Sequence, residues 1–208
     1  MSIQEIADRL LAQRSNDAST DCHFIVGIDG LGGAGKTTFV NKLQQTVKTR
    51  NCEAVILHLD DYIVETRKRY DTGHDEWYEY YYFQWDIQLL EAELFQKLHD
   101  NSSDLTLPLY ERSTDTVIAE ELELPPATVV LIEGVFLQRK EWREYFDFVI
   151  FIDCTPEARA ERVLNRDLYI GDYQTRLKKY KQRYWQAEDY YMNSENPKSG
   201  ADYIYSSV

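Results

Sequence analysis

The sequence predicts an α/β fold, a parallel β-sheet core flanked by helices, and three observations carry that prediction. Short β-branched apolar runs recur along the chain, and stretches of helical spacing separate them. The runs are apolar throughout rather than alternating, the pattern of strands covered on both faces. A chain of 208 residues suits one such domain with an insertion.

The elements follow in order. "MSIQEIADRLLAQRS" places Ile3, Ile6, Leu10 and Leu11 at helical spacing. "HFIVGID" (23–29) is the first strand, "KTTFVNKLQQTVKTR" the helix after it, and "AVILHL" (54–59) the second strand. "VVLIEG" (129–134) and "FDFVIFID" (146–153) are two more strands, and "DYIYSS" is a weaker candidate near the end. Two regions break this rhythm. Residues 62–127 hold the block "DEWYEYYYFQWD", an amphipathic helix around "DIQLLEAELFQKLH", and "LTLPLYERSTDTVIAEELEL", whose two extended halves around "ERSTDT" predict a β-hairpin. An insertion of that size is expected to form a lid or substrate lobe. Residues 156–192 are helical by composition and rich in Arg and Lys. The expectation is a single domain over 1–208, with 62–127 inserted on the acceptor side and 156–192 as a helical lid region.

Seven aromatic residues occupy the nine positions from Trp77 to Trp85. Trp77, Tyr80, Tyr81 and Trp85 can share one helical face, which is expected to anchor the insertion to the sheet. Tyr78 and Tyr82 stand opposite. One or two tyrosines and His74 are expected to reach a bound molecule.

Composition excludes some classes. A net charge of -13 argues against a general nucleic-acid or anionic-membrane binder, since such partners need a broad positive field. Phosphate chemistry would then rest on a local cluster of cations. Cys22, Cys52 and Cys154 form no CxxC pair, and no Cys/His spacing suggests zinc; Cys22 and Cys154 lie in or beside apolar stretches and read as reduced structural thiols. The amino terminus lacks a long apolar core, and no run approaches the ~18 apolar residues of a membrane span. A cytoplasmic protein without a membrane partner is expected.

One motif carries specific chemistry. "GLGGAGKT" (30–37) fits GxxxxGK[ST] at every fixed position, with a buried strand before it and a helix opening at the lysine. Gly30, Gly32, Gly33 and Gly35 let the backbone curl so that N–H groups point inward, and Ala34 and Thr38 complete the nucleotide-binding stretch. Lys36 reaches terminal phosphates, and the Thr37 hydroxyl is placed to ligate Mg²⁺. "NK" occurs only at Asn41-Lys42 and without the aspartate of a guanine-specific loop, which argues against a GTPase. "VVLIEG" ends in a lone Glu133 before Gly134, an ending that suits a small-molecule kinase better than a motor ATPase. In "LHLDDYI", Asp60 and Asp61 follow the second strand and would emerge near a γ-phosphate, where a carboxylate can accept a hydroxyl proton or hold a magnesium water.

A cationic cluster lies later. Arg159, Arg162 and Arg166 fall on one helical face, and Arg176, Lys178, Lys179, Lys181 and Arg183 follow. Guanidinium groups there could stabilise charge on a transferred phosphoryl group.

Taken in order, "GLGGAGKTT", the Asp-x-Tyr after the second strand, "LPLY", "IEG" and "RAERVLNRD" resemble the uridine kinase, phosphoribulokinase and pantothenate kinase group of P-loop kinases, over roughly residues 22–192. The resemblance implies a P-loop NTPase fold, ATP and Mg²⁺ as cofactors, and transfer of the γ-phosphate to a hydroxyl of a small molecule, nucleoside-like or another polar metabolite. It implies Asp60 as general base, Glu133 with Thr37 and Asp60 on the metal side, and Lys36, Arg162 and Arg166 as catalytic cations. Asp61, Tyr62, His74, Tyr110 and Arg159 are the expected acceptor contacts, Tyr110 matching the family's aromatic wall and Arg159 its lid helix. Uridine kinases carry a histidine soon after the tyrosine matched by Tyr110, whereas "YERSTDT" offers Asp115, so the acceptor stays open. An ATP-hydrolysing regulator without an acceptor is the alternative, and a homo-oligomer is left open.

Overall fold

Four apolar runs and the weaker fifth one pair into a single sheet in the computed structural model, which describes residues 2–16 and 21–207. After helix α1 (Ile3–Asn16), strand β1 (Phe24–Asp29) leads through the glycine loop into α2 (Lys36–Lys48) and β2 (Ala54–His58). A 3₁₀ turn at Leu59–Tyr62 then opens the insertion, with α3 (Thr66–Arg69) and α4 (Glu76–Tyr82). Residues 87–99 are helical, α5 (Ile87–Leu90) and α6 (Lys97–His99) flanking a π-helical stretch. The hairpin β3 (Asp104–Glu111) and β4 (Thr116–Glu123) closes the insertion, its antiparallel register running from Asp104↔Glu123 to Glu111↔Thr116. The chain returns through β5 (Val129–Glu133), β6 (Phe148–Asp153), α7 (Pro156–Arg166), α8 (Tyr173–Lys179), a π-helical Tyr180–Tyr184, α9 (Trp185–Ser194), α10 (Pro197–Gly200) and β7 (Tyr203–Ser206).

The sheet order is β2-β5-β1-β6-β7, with every pairing parallel. Two apolar layers cover it because successive side chains of a strand point to opposite faces. Val129 and Leu131 pack with α1 and α2, while Val130 and Ile132 pack with the insertion and α9. Connections leave β1 toward β2 and β5 toward β6, in opposite directions. That divergence opens a crevice at the strands' carboxyl ends.

The aromatic block does most of its work inside. Tyr81 and Trp85 are buried in the insertion-side core, and Trp77 and Tyr80 pack against it. Trp85 lies beyond the end of α4, so the face imagined as one helix is a helix followed by a bend. The three cysteines are half-buried rather than fully buried. Region 156–192 divides into two parts: Ala187 and Tyr191 belong to the core, whereas Leu168, Tyr169 and Tyr173 are exposed. No helix among the described residues is long and apolar enough to cross a membrane.

Candidate active site

A cleft of about 630 Å³ lies over the carboxyl ends of β1, β2 and β5, and it brings together the glycine loop, Asp60 and Glu133. Its sheet-side wall starts with the loop. Gly33 has φ of 78°, and a Cβ there would stand 2.8 Å from the Arg159 carbonyl oxygen, so glycine lets the loop turn while α7 packs against it. α2 begins at Lys36, whose ammonium donates to the carbonyls of Gly30 (2.8 Å) and Leu31 (3.2 Å). Thr37 and Thr38 are exposed on the same rim, and Gly32, Gly33 and Gly35 line the cleft. Gly30 and Ala34 are buried inside the loop rather than on the cleft wall.

The strand ends supply the acids. His58 of β2 pairs with Glu133 of β5 in register, which puts their side chains on one face. His58 Nδ1 is 2.7 Å from Glu133 Oε1, and the Thr37 hydroxyl donates to that same oxygen at 3.0 Å. Burial opposes the charge on Glu133, but His58, Lys36 and Thr37 outweigh it and hold the carboxyl below its ordinary range. The same hydrogen bond raises the His58 pKa. In the 3₁₀ turn, Leu59 and Tyr62 are buried and leave Asp60 and Asp61 outward. Gly134 is required beside that turn, because a Cβ on it would fall 2.8 Å from Leu59 Cβ. The Trp85 indole N–H donates to the Leu59 carbonyl at 2.9 Å, so the aromatic block fixes the backbone next to Asp60.

Asp60 is open to the cleft yet ringed by protein. Desolvation raises its pKa, Lys36 opposes the rise, and Glu133 and Asp61 add to it. Asp29, at the end of β1, is fully buried and satisfied by Tyr191 (2.5 Å), Gln138 (2.8 Å) and the Gly30 N–H (2.8 Å). It braces the loop's first residue from below.

The arginines divide. Arg162 lines the cleft and donates to the Gly33 carbonyl at 3.2 Å, and Arg166 lines it while pairing with Asp167 at 2.6 Å. Arg159, expected on the acceptor, is buried away from the cleft against Glu188 Oε2 at 2.7 Å. Glu188, itself on the cleft wall, also accepts from the Gly32 N–H at 2.7 Å, and Arg159 donates to the Gly32 carbonyl at 3.2 Å, so this pair clamps the loop. Helical spacing put three arginines on one face but could not tell which would line the cleft.

Three further acceptor expectations are corrected. Tyr62 is buried in the apolar core, where its hydroxyl pKa is pushed up by desolvation. Asp61 is exposed and is not a cleft-lining residue. His74 is exposed at the start of α4, stacked on Tyr78 with centroids 4.8 Å apart, and likewise lies off the cleft. Tyr110 does line it, its hydroxyl donating to Asp115 at 2.8 Å. Asp115 also accepts from the Thr66 N–H and hydroxyl, and these bonds hold its pKa down.

Several cleft residues carried no sequence signal, namely Arg69, Tyr70, Arg112 and Tyr184, while Lys179 comes from the cationic cluster after Arg166. Tyr80 and Gln84 of the aromatic block line the cleft, while the Tyr82 hydroxyl bonds that of Tyr190 at 2.5 Å. No group of three or more His, Cys, Asp or Glu residues among the described residues forms a metal cage. Magnesium does not require one, because one or two protein oxygens complete a shell supplied by phosphates and water. The ionised Glu133 beside the Thr37 hydroxyl fits that donor chemistry.

Comparison with known proteins gives a consistent picture. The family model "Phosphoribulokinase / Uridine kinase family" matches residues 25–192. A protein named uridine kinase from Staphylococcus aureus is 31% identical over 150 residues, covering 69% of this chain and 68% of its own length. One of the same name from Lactobacillus helveticus is 28% identical over 152 residues, covering 69% and 67%. A solved structure described as a possible uridine kinase from Bacillus stearothermophilus superposes with a TM-score of 0.77 at 40% identity, covering 97% of this chain and 99% of that one.

Proposed function

The chain belongs to the phosphoribulokinase / uridine kinase family of P-loop small-molecule kinases, and from that premise we propose that it transfers the γ-phosphoryl group of ATP to a hydroxyl of a small acceptor held between the insertion and the carboxyl edge of the sheet. The observation that carries this reading is the convergence of Lys36, Asp60, Glu133 and Arg162 on one cleft.

Each residue has a stated part. The acceptor hydroxyl gives its proton to Asp60, whose raised pKa suits a base, and its oxygen bonds to the γ-phosphorus. The bond from that phosphorus to the bridging oxygen breaks, and ADP leaves. Lys36 shifts from loop carbonyls to phosphate oxygens, and Arg162 and Arg166 face the charge on the transferred group. Thr37, Glu133 and Asp60 would hold Mg²⁺, which neutralises phosphate charge when bound. Residues 168–175, mostly exposed, are the part of the lid region placed to cover the cleft and exclude water.

A nucleoside acceptor is a second reading, supported by the relatives' names and by the tyrosines on the cleft wall. The test of phosphotransfer is ADP release from MgATP with and without a panel of hydroxyl compounds. Acceptor-dependent turnover that Asp60→Asn abolishes is expected. Turnover indifferent to every acceptor and to Asp60→Asn would instead favour an ATP-hydrolysing regulator.

A further inference from the structure

The insertion carries fifteen acidic and five basic residues between positions 62 and 127. Into the cleft it turns two arginines, Arg69 and Arg112, and none of those acids. Such a selection opposes the composition of the segment and of the whole chain.

The nearby acids are engaged elsewhere. Asp115 is taken up by Thr66 and Tyr110, Glu79 by Thr72 and Arg183, and Glu76 by Lys179 at 2.7 Å. Arg69 is 9% exposed, and its guanidinium is aimed by the Val64 carbonyl (2.9 Å) and the Tyr110 hydroxyl (3.3 Å). No carboxylate among the described residues lies within ion-pair distance of Arg69. Arg112 is exposed, with neither a hydrogen bond nor an ion pair among the described residues. Asp115 reaches this largely buried guanidinium only through the Tyr110 hydroxyl and forms no direct pair with it, and the planar fork of an arginine matches a carboxylate or a phosphate.

The rings beside these arginines are already used. Tyr70 lies under Arg183 (4.0 Å), Lys179 (4.7 Å) and Arg69 (5.0 Å), and Tyr110 lies under Arg69 (5.3 Å). They serve as supports for cations rather than as open platforms for a base.

We propose that the acceptor is an anionic hydroxyl compound whose carboxylate or phosphate group docks on Arg69 and Arg112 while its hydroxyl meets Asp60. This selectivity rests on the phosphotransfer reading, but the anion site can be measured without it. Matched pairs separate charge from shape: glycerate against glycerol for the carboxylate arm, and ribose 5-phosphate against ribose for the phosphate arm, with uridine as a neutral nucleoside. Calorimetric binding to the full-length protein with a non-hydrolysable ATP analogue present is read beside ADP release.

At least one anion is expected to bind about tenfold or more tighter than its neutral partner, and the arm that responds identifies the group. Arg112→Gln should raise its Kd and KM about tenfold with little change in kcat, whereas Arg67→Gln, off the cleft on α3, should leave both constants alone. Arg69 is too embedded to serve as the sole test. Tighter binding or faster turnover of uridine, glycerol or ribose would overturn the inference, as would failure of both anions to bind or equal effects of the two arginine variants. Arg112-dependent anion binding without any phosphorylated product would uphold the anion site and defeat the phosphotransfer reading alone.

Discussion

The two walls of the cleft hold their charges by different means. On the sheet side, Asp29, Glu133 and Glu188 sit at or behind strand ends and are fastened by hydrogen bonds from Tyr191, Thr37, His58, Arg159 and loop N–H groups. On the insertion side, the cations Arg69, Lys179 and Arg183 rest on tyrosine rings, and Arg69 and Arg183 also bond backbone carbonyls. The first arrangement makes a fixed wall, which suits the proposed phosphate and metal chemistry. The second builds a cationic surface whose charge is only partly consumed by the protein, which is where a substrate can be chosen.

The largest expected effect breaks the sheet wall. Asp60→Asn keeps the shape of the side chain and removes the base, so acceptor-dependent turnover should fall about 10²- to 10⁴-fold while nucleotide affinity stays nearly constant. Steady-state kinetics with a binding titration checks both halves of that statement.

Next comes the joint between the insertion and the carboxyl-terminal helices. Arg183 is fully buried, with Glu79 at 3.2 Å, the Arg69 carbonyl at 2.9 Å and Gln84 at 3.4 Å. Arg183→Met removes one partner of a buried pair and should cost about 3–5 kcal/mol, read as a lowered midpoint in denaturant. An unchanged midpoint would mean that the two parts hold together without it.

A smaller change tests whether the aromatic block reaches the sheet wall. Trp85→Phe preserves an aromatic ring but loses the donor to the Leu59 carbonyl, for about 1–2 kcal/mol of stability. Because that carbonyl precedes Asp60, kcat should drop while KM for ATP holds. Equal changes in the two constants would argue against a positioning role.

The smallest effect concerns the exposed part of the lid region. Burial raises the Asp167 pKa, but Arg166 and the Tyr180 hydroxyl outweigh it and depress the carboxyl below 3.8. A depressed carboxyl adds stability that is present above its unfolded value and lost as pH falls through the folded one. As pH falls below about 4 the native chain should therefore lose stability that Asp167→Asn does not lose, an amount limited by the exposure of Arg166. Parallel denaturation series across that range would show it.

The comparison also explains what the sequence could reveal. The glycine loop, Asp60 and Glu133 are legible because each sits at the end of an apolar strand, and the strand order alone brings those ends together. β7 was faint because only alternate residues are covered, Tyr203 and Tyr205 being half-buried. Arg69 and Arg112 gave no signal and Lys179 only a share in a run of cations, since their place on the cleft depends on how α3, the hairpin and α8 pack across more than a hundred residues of sequence. Tyr62 and His74 were misread for the same reason: proximity to Asp60 in sequence did not translate into a place on the cleft wall.

The central claim is direct transfer of the γ-phosphoryl group. The most direct measurement is mass spectrometry of the acceptor after incubation of the protein with ATP labelled in its γ-phosphate oxygens, Mg²⁺ and each compound of the matched panel. A labelled phosphoester on an anionic acceptor is expected, formed in step with ADP and lost in Asp60→Asn. Label recovered only as inorganic phosphate, at a rate that no acceptor changes, would contradict it.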